Sequence, residues 1–78
     1  MNNIKEEVIK VIAGILEVPA NVINEETAIG DIPTWDSLRQ LMIISALENY
    51  FEIQFEPEMI MDLEDVSDIV AAIEEHKK

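Results

Sequence analysis

Apolar side chains recur three and four residues apart in separate stretches of this 78-residue chain, and that period belongs to helices. Ile4, Val8, Val11, Ile12 and Ile15 form one stripe and predict a helix from about Asn3 to Glu17. Asn3, with Glu6 three residues on, is a candidate cap with a reciprocal carboxylate. Gly14 costs such a helix about 1 kcal/mol and leaves room for the close approach of a neighbouring element. Leu38, Leu41, Ile44 and Leu47, widened by Ile43, Tyr50 and Phe51, predict a broad-faced central helix from Asp36 or Ser37 to about Phe51. Pro57 suits the first turn of a short helix ending near Met61, after an extended piece from Ile53 to Phe55. A last helix, from about Asp65 to Glu75, carries Val66, Ile69, Val70 and Ile73. Its start holds Asp65 and Asp68 and its end His76, Lys77 and Lys78, each sign at the favourable end of the helix dipole. Glycine occurs only at positions 14 and 30, and no Asn-Gly or Asp-Gly pair marks a hairpin. The expectation is an all-α bundle of four helices over residues 1–78: three longer ones, a short third and a long first loop.

That loop, from Val18 to Trp35, contains Pro19, Gly30 and Pro33. Connections of such length are uncommon in compact domains and are often functional. Val22, Ile23, Ile29 and Ile32 are spaced to pin it to the bundle. A domain this small buries only about 60% of its unfolded surface, so its stability is expected near about 5 kcal/mol. It has no room for a deep cleft lined by many catalytic groups.

Charge narrows the function further. Seventeen acidic residues face five basic ones, Lys5, Lys10, Arg39, Lys77 and Lys78, for a net charge of −12. A nucleic-acid partner is excluded, because that requires a basic stripe to displace counterions from phosphates. A soluble surface or a preference for basic protein partners both fit. The absence of cysteine removes disulfides and thiolate metal sites. The N-terminal residues lack the pattern of a secretory leader, and no apolar run approaches the roughly 20 residues of a membrane span. A cytoplasmic protein without membrane insertion is expected.

The chemistry concentrates at Asp36-Ser37-Leu38, where the long loop meets the central helix. Free N–H groups and the dipole at a helix start favour a phosphate. With Leu38 pointing inward, Ser37 would stand exposed in that field. The triplet alone leaves a second reading open, in which Ser37 is an ordinary helix cap. No nearby residue supplies a base to activate Ser37 as a nucleophile, since the only histidine is His76.

The chain as a whole resembles the acyl carrier protein family over nearly its full length. Ile4-Lys5-Glu6-Glu7-Val8 through Leu16 looks like that family's first helix, and Val22, Thr27 and Ile29 match its long connection. Trp35-Asp36-Ser37-Leu38 looks like its modification motif, Leu47 to Ile53 like the end of its second helix, and Val66-Ser67-Asp68-Ile69-Val70 like its last. The resemblance implies a non-catalytic carrier. A phosphopantetheinyl transferase would move 4'-phosphopantetheine from coenzyme A to Ser37, supported by Asp36 and Leu38. The arm would hold acyl groups as thioesters for acyl-loading and acyl-transferring enzymes. A fatty cargo would slip between Ile44, Leu47, Ile60 and Ile73.

The departures from the family pattern are specific. Fatty-acid-type carriers usually place an acidic residue after the motif leucine and more along the exposed side of the second helix. Here Arg39 and Met42 stand there, and Arg39 is the only charge between Ser37 and Leu47. A carrier for a specialised pathway is expected, with aminoacyl, polyketide-like or polysaccharide-decorating chemistry. Trp35, Arg39, Met42 and Glu48 are the candidate partner contacts, with Trp35 equally suited to covering the end of the bundle. Met42, Met59 and Met61 fit either an adaptable surface or core filling. Asp62, Glu64, Asp65 and Asp68 lack the ligand spacing and central glycine of a calcium loop, so no metal is assigned. A monomer is expected because no exposed apolar stripe is left over. The alternative function is an acidic helical interaction module with no prosthetic group.

Overall fold

The computed structural model describes residues 3–76. Four α-helices follow one another: α1 (Ile4–Leu16), α2 (Ser37–Phe51), α3 (Pro57–Met61) and α4 (Val66–His76), with a single 3-10 turn at Ala20–Val22. The described residues form no strand; one isolated antiparallel bridge joins Ala28 to Asp65. The all-α bundle with a short third helix is therefore as expected. Lys77 and Lys78, assigned to the negative end of the last helix, lie outside the described residues.

Local chemistry fixes the helix limits. The Asn3 side chain accepts from the Glu6 N–H at 2.8 Å and caps α1. Asp65 does the same for α4, taking the Asp68 N–H at 2.8 Å, while Asp68 accepts from the Glu64 N–H at 3.3 Å. Both α1 and α2 end on a glutamate in the left-handed region, Glu17 at φ 59° and Glu52 at φ 55°. In each case the next N–H reaches back to the carbonyl five residues earlier, Val18 to Ala13 and Ile53 to Glu48.

α1 packs against both α2 and α4. Val8, Ile12 and Leu16 of α1, Ile43, Ile44 and Leu47 of α2, and Val66, Ile69 and Ile73 of α4 fill the common core. The apolar face of α2 differs from the expected one. Leu38 and Leu41 point outward, Tyr50 is exposed, and the buried stripe runs through Gln40, Ile43, Ile44, Leu47 and Phe51. The Tyr50 hydroxyl instead donates to the Glu7 carboxylate of α1. That bond, with smaller contributions from desolvation and the carboxylate charge, raises the phenol above its ordinary 10.0.

The long loop is held by backbone bonds as well as apolar side chains. Ile23 is buried and Ile29 and Ile32 are half-buried, but Val22 is exposed. The Ile29 N–H donates to Glu64, while Val66 and Ser67 donate to the carbonyls of Thr27 and Glu25, each at 3.0 Å. The loop is thus stitched to the start of α4.

Gly14 makes no close approach. It is exposed, and a methyl group added there would meet nothing within 4 Å. Gly14→Ala should raise stability by about 1 kcal/mol and the melting temperature by roughly 4–8 °C. Thermal unfolding followed by circular dichroism checks this, and an unchanged or lower midpoint would contradict it.

Candidate functional site

Asp36 is the cap of α2. Its backbone is extended (φ −110°, ψ −173°), and its carboxylate accepts from the Arg39 N–H at 2.9 Å. Its carbonyl accepts from the Gln40 N–H at 2.9 Å. Ser37 is therefore the first helical residue and not the cap, so the reading of Ser37 as an ordinary helix cap is overturned. Its side chain is exposed, and no partner among the described residues holds the hydroxyl. The N–H groups of Ser37 and Leu38 belong to the opening turn, where helices leave donors free and the dipole is positive. An anion attached at the Ser37 oxygen would sit in that field.

What fixes Ser37 in place is the residue two before it. Trp35 is buried, 1% exposed, so it covers the inside of the bundle and offers no surface to a partner. Its indole N–H donates to Gln40 Oε1 at 2.6 Å, and Gln40 Nε2 donates to the Leu63 carbonyl at 2.8 Å. Backbone bonds frame the same corner: Trp35 N–H to Ile32 O at 2.8 Å, and Gly30 N–H to Trp35 O at 3.0 Å. Gly30 adopts φ 93°, a conformation that a side chain would oppose. The Thr34 hydroxyl donates to the Leu16 carbonyl at 3.0 Å and ties the corner to the end of α1.

The other singled-out residues divide. Arg39 is not a free cation for a partner: its guanidinium donates to the Ile15 carbonyl at 2.5 Å and lies 3.6 Å from the Glu17 carboxylate. It bridges the first turn of α2 to the last turn of α1. Glu48 accepts from the Phe55 N–H at 2.8 Å, which gives it a role in shaping the α2–α3 connection. Met42 is exposed, as a partner contact requires. Met61 is exposed too, whereas Met59 is half-buried and packs against the core, so core filling describes one of the three methionines. Leu38, expected to point inward, is exposed beside Ser37. Leu38, Leu41, Met42 and Ala46 with Ile15 line a shallow concavity. An exposed apolar stripe is therefore left over, and the argument for a monomer from its absence falls. Gln40 is the residue that sequence reasoning missed. A lone glutamine between Leu38 and Leu41, one turn beyond a tryptophan, is the signal for a buried indole partner.

No described helix is long and apolar enough to cross a membrane. Among the described residues no group of three or more His, Asp or Glu side chains is arranged to hold a metal ion.

Residues 6–73 match the family described as the phosphopantetheine attachment site. No curated protein matches the chain significantly. Among solved structures, the holo acyl carrier protein of Geobacter metallireducens superposes with TM-score 0.84 at 23% identity, over 94% of this chain and 84% of that one. The holo acyl carrier protein of Nitrosomonas europaea gives TM-score 0.76 at 26% identity, covering 94% and 93%. A candidate acyl carrier protein of Mycobacterium tuberculosis gives 0.83 at 22%, covering 92% and 96%.

The Trp35–Gln40–Leu63 relay has a direct consequence for stability. Gln40→Met keeps the volume but leaves a buried N–H and a buried carbonyl without partners. The expected loss is about 2–4 kcal/mol, seen as a lower urea midpoint by tryptophan fluorescence. A change under about 0.5 kcal/mol would show that the relay is not what holds this corner.

Proposed function

This chain belongs to the phosphopantetheine-attachment family, and we propose from that premise that Ser37 is the attachment point and that the arm carries acyl groups. A carrier domain of this family is not an enzyme; its prosthetic group is a covalently attached 4'-phosphopantetheine. When bound, that group supplies a terminal thiol that holds an acyl group as a thioester. The chain's own residues attach it, present it and orient it toward partner enzymes.

The observation that carries the assignment is the state of Ser37: exposed, without a hydrogen-bond partner among the described residues, and first in α2. The attachment is a group transfer. The Ser37 oxygen forms a bond to the phosphorus bearing the pantetheine, the pyrophosphate P–O bond of coenzyme A breaks, and adenosine 3',5'-bisphosphate leaves. The hydroxyl proton passes to a base on the transferase, because no base among the described residues contacts Ser37. Asp36 supports the reaction from below by capping α2, which keeps the Ser37 hydroxyl out of the capping role.

The cargo pathway is proposed to be a specialised one. Between Ser37 and Leu47 the helix carries no acid, and its one cation, Arg39, is engaged by Ile15 and Glu17. Fatty-acid enzymes that steer by charge would meet little to steer by on this face. Aminoacyl, polyketide-like and polysaccharide-decorating pathways remain the classes of cargo. The partners are then a phosphopantetheinyl transferase together with the loading and transferring enzymes of that pathway.

Two measurements test these readings. Incubation with coenzyme A and a broad-specificity phosphopantetheinyl transferase should add one phosphopantetheine-sized mass to the wild type and none to Ser37→Ala. No gain, with the transferase active on another carrier, would favour the acidic interaction module. A purified fatty-acid malonyltransferase should load the modified chain at least about tenfold more slowly than its own carrier. Equal loading would overturn the specialised role.

A further inference from the structure

We propose that Arg39 and Gln40 bar the interior of the bundle to whatever the arm carries, and that the cargo is therefore a short or polar acyl group that stays in water outside the helices. This rests on the carrier reading above and names the class of substrate at the same site.

Two seams flank Ser37 at the start of α2. One lies between α2 and the end of α1, the other between α2 and the connection from α3 to α4. A long alkyl chain tethered at Ser37 gains by leaving water, and these are the openings nearest its tether. Consecutive side chains cross them. Arg39 spans the first, its guanidinium donating to the Ile15 carbonyl at 2.5 Å and lying 3.6 Å from the Glu17 carboxylate. The Thr34 hydroxyl reinforces that side by donating to the Leu16 carbonyl at 3.0 Å. Gln40 spans the second, accepting from the Trp35 indole at 2.6 Å and donating to the Leu63 carbonyl at 2.8 Å.

Both bars are polar, which makes them costly to part. An alkyl chain passing Arg39 would take partners and water from a fixed charge. Passing Gln40, it would leave the indole N–H and the Leu63 carbonyl unpaired in apolar surroundings, since Trp35 is 1% and Gln40 8% exposed. Behind the bars the protein's own side chains fill the interior. Ile44 is 4% exposed and Leu47 and Ile73 are 0%, so the space expected between them for a fatty cargo is already taken. Extra methylenes there would force these side chains apart. A short or polar acyl group gains little from burial and asks for none of this rearrangement.

The test compares the full chain carrying an acetyl or an octanoyl thioester on the arm, each form verified by intact mass. Trp35 is the one tryptophan of the chain and stands at the second seam, so its fluorescence reports entry of the cargo. In the wild type the two forms should share one emission maximum and the same methyl chemical shifts at Ile44, Leu47 and Ile73, and should melt within about 2 °C of each other. Shifted methyls with a larger rise in the octanoyl form would show the chain inside the bundle and overturn the proposal. Arg39→Ala and Gln40→Ala each remove one bar, and in either the octanoyl group should enter, moving the methyl shifts and raising the midpoint above that of the acetyl form. If circular dichroism shows Gln40→Ala unfolded, Arg39→Ala, which leaves the buried side chains unchanged, carries this arm. Variants that behave like the wild type would overturn the role given to the two side chains. A wild type that gains no mass from coenzyme A, with the transferase active on another carrier, overturns the carrier reading itself.

Discussion

An indole placed in an apolar interior must find an acceptor for its N–H, and in this chain that requirement organises the end of the bundle that presents Ser37. Trp35 donates to Gln40, and Gln40 passes the constraint to the Leu63 carbonyl. The end of the long loop, the first turn of α2 and the α3–α4 connection therefore meet at one buried polar line. With Trp35 held inside, the next residue turns outward in extended backbone and caps the helix, and Ser37 follows as the first helical position. The exposure of Ser37 is a consequence of the burial of Trp35. In a domain of about 5 kcal/mol, one such line is a large share of what keeps the corner in a single arrangement.

The few cations act on the same corner and its surroundings. Arg39 binds the Ile15 carbonyl and lies beside Glu17, so the last turn of α1 is tied to the first turn of α2. Lys5 lies 3.1 Å from Glu25 and links α1 to the loop, though both groups are exposed and the pair adds little. Arg39 is the more consequential of the two because its partner includes a backbone carbonyl at a helix end, where acceptors are otherwise left to water. A chain with seventeen acids repels itself, and the Arg39 contacts hold the start of α2 to the end of α1 against that repulsion.

How much of this could be read in the sequence depends on whether the signal was periodic. α1 and α4 were legible because each has one apolar stripe and a side-chain cap, Asn3 and Asp65. α2 was legible as a helix but not in phase. Leu38, Leu41, Ile43, Ile44, Leu47, Tyr50 and Phe51 surround much of its circumference, so spacing alone could not choose the inner face. The choice was made by the tertiary contacts of Gln40 and Ile43, and it turned Leu38, Leu41 and Tyr50 outward. The loop was legible as a long connection but not as a structure. Its order comes from buried side chains such as Ile23 and Thr27 together with backbone bonds between residues 25–29 and 64–67, and those backbone bonds leave no mark in residue type. The motif around Ser37 was visible in the residue types. The choice between the two readings of Trp35, and the role of Arg39, were not, because burial and reach across to α1 depend on where other elements lie.

The two-sided apolar character of α2 also separates what folds the protein from what the protein offers to others. Ile43, Ile44, Leu47 and Phe51 already lie in the buried core, while Leu38, Leu41 and Met42 stay exposed outside it. Leaving them in water forgoes about 1.5–3 kcal/mol of burial for each, in a domain whose whole stability is on the order of 5 kcal/mol. A polar residue at any of these places would leave the helix and its packing intact. The retained apolar surface adjoins the one side chain that must be reached by another protein, and the fold gives it no internal use. Function at Ser37 therefore depends on two faces of one helix: an inner face that fixes where the serine stands, and an outer face whose apolar area is free for a partner to cover.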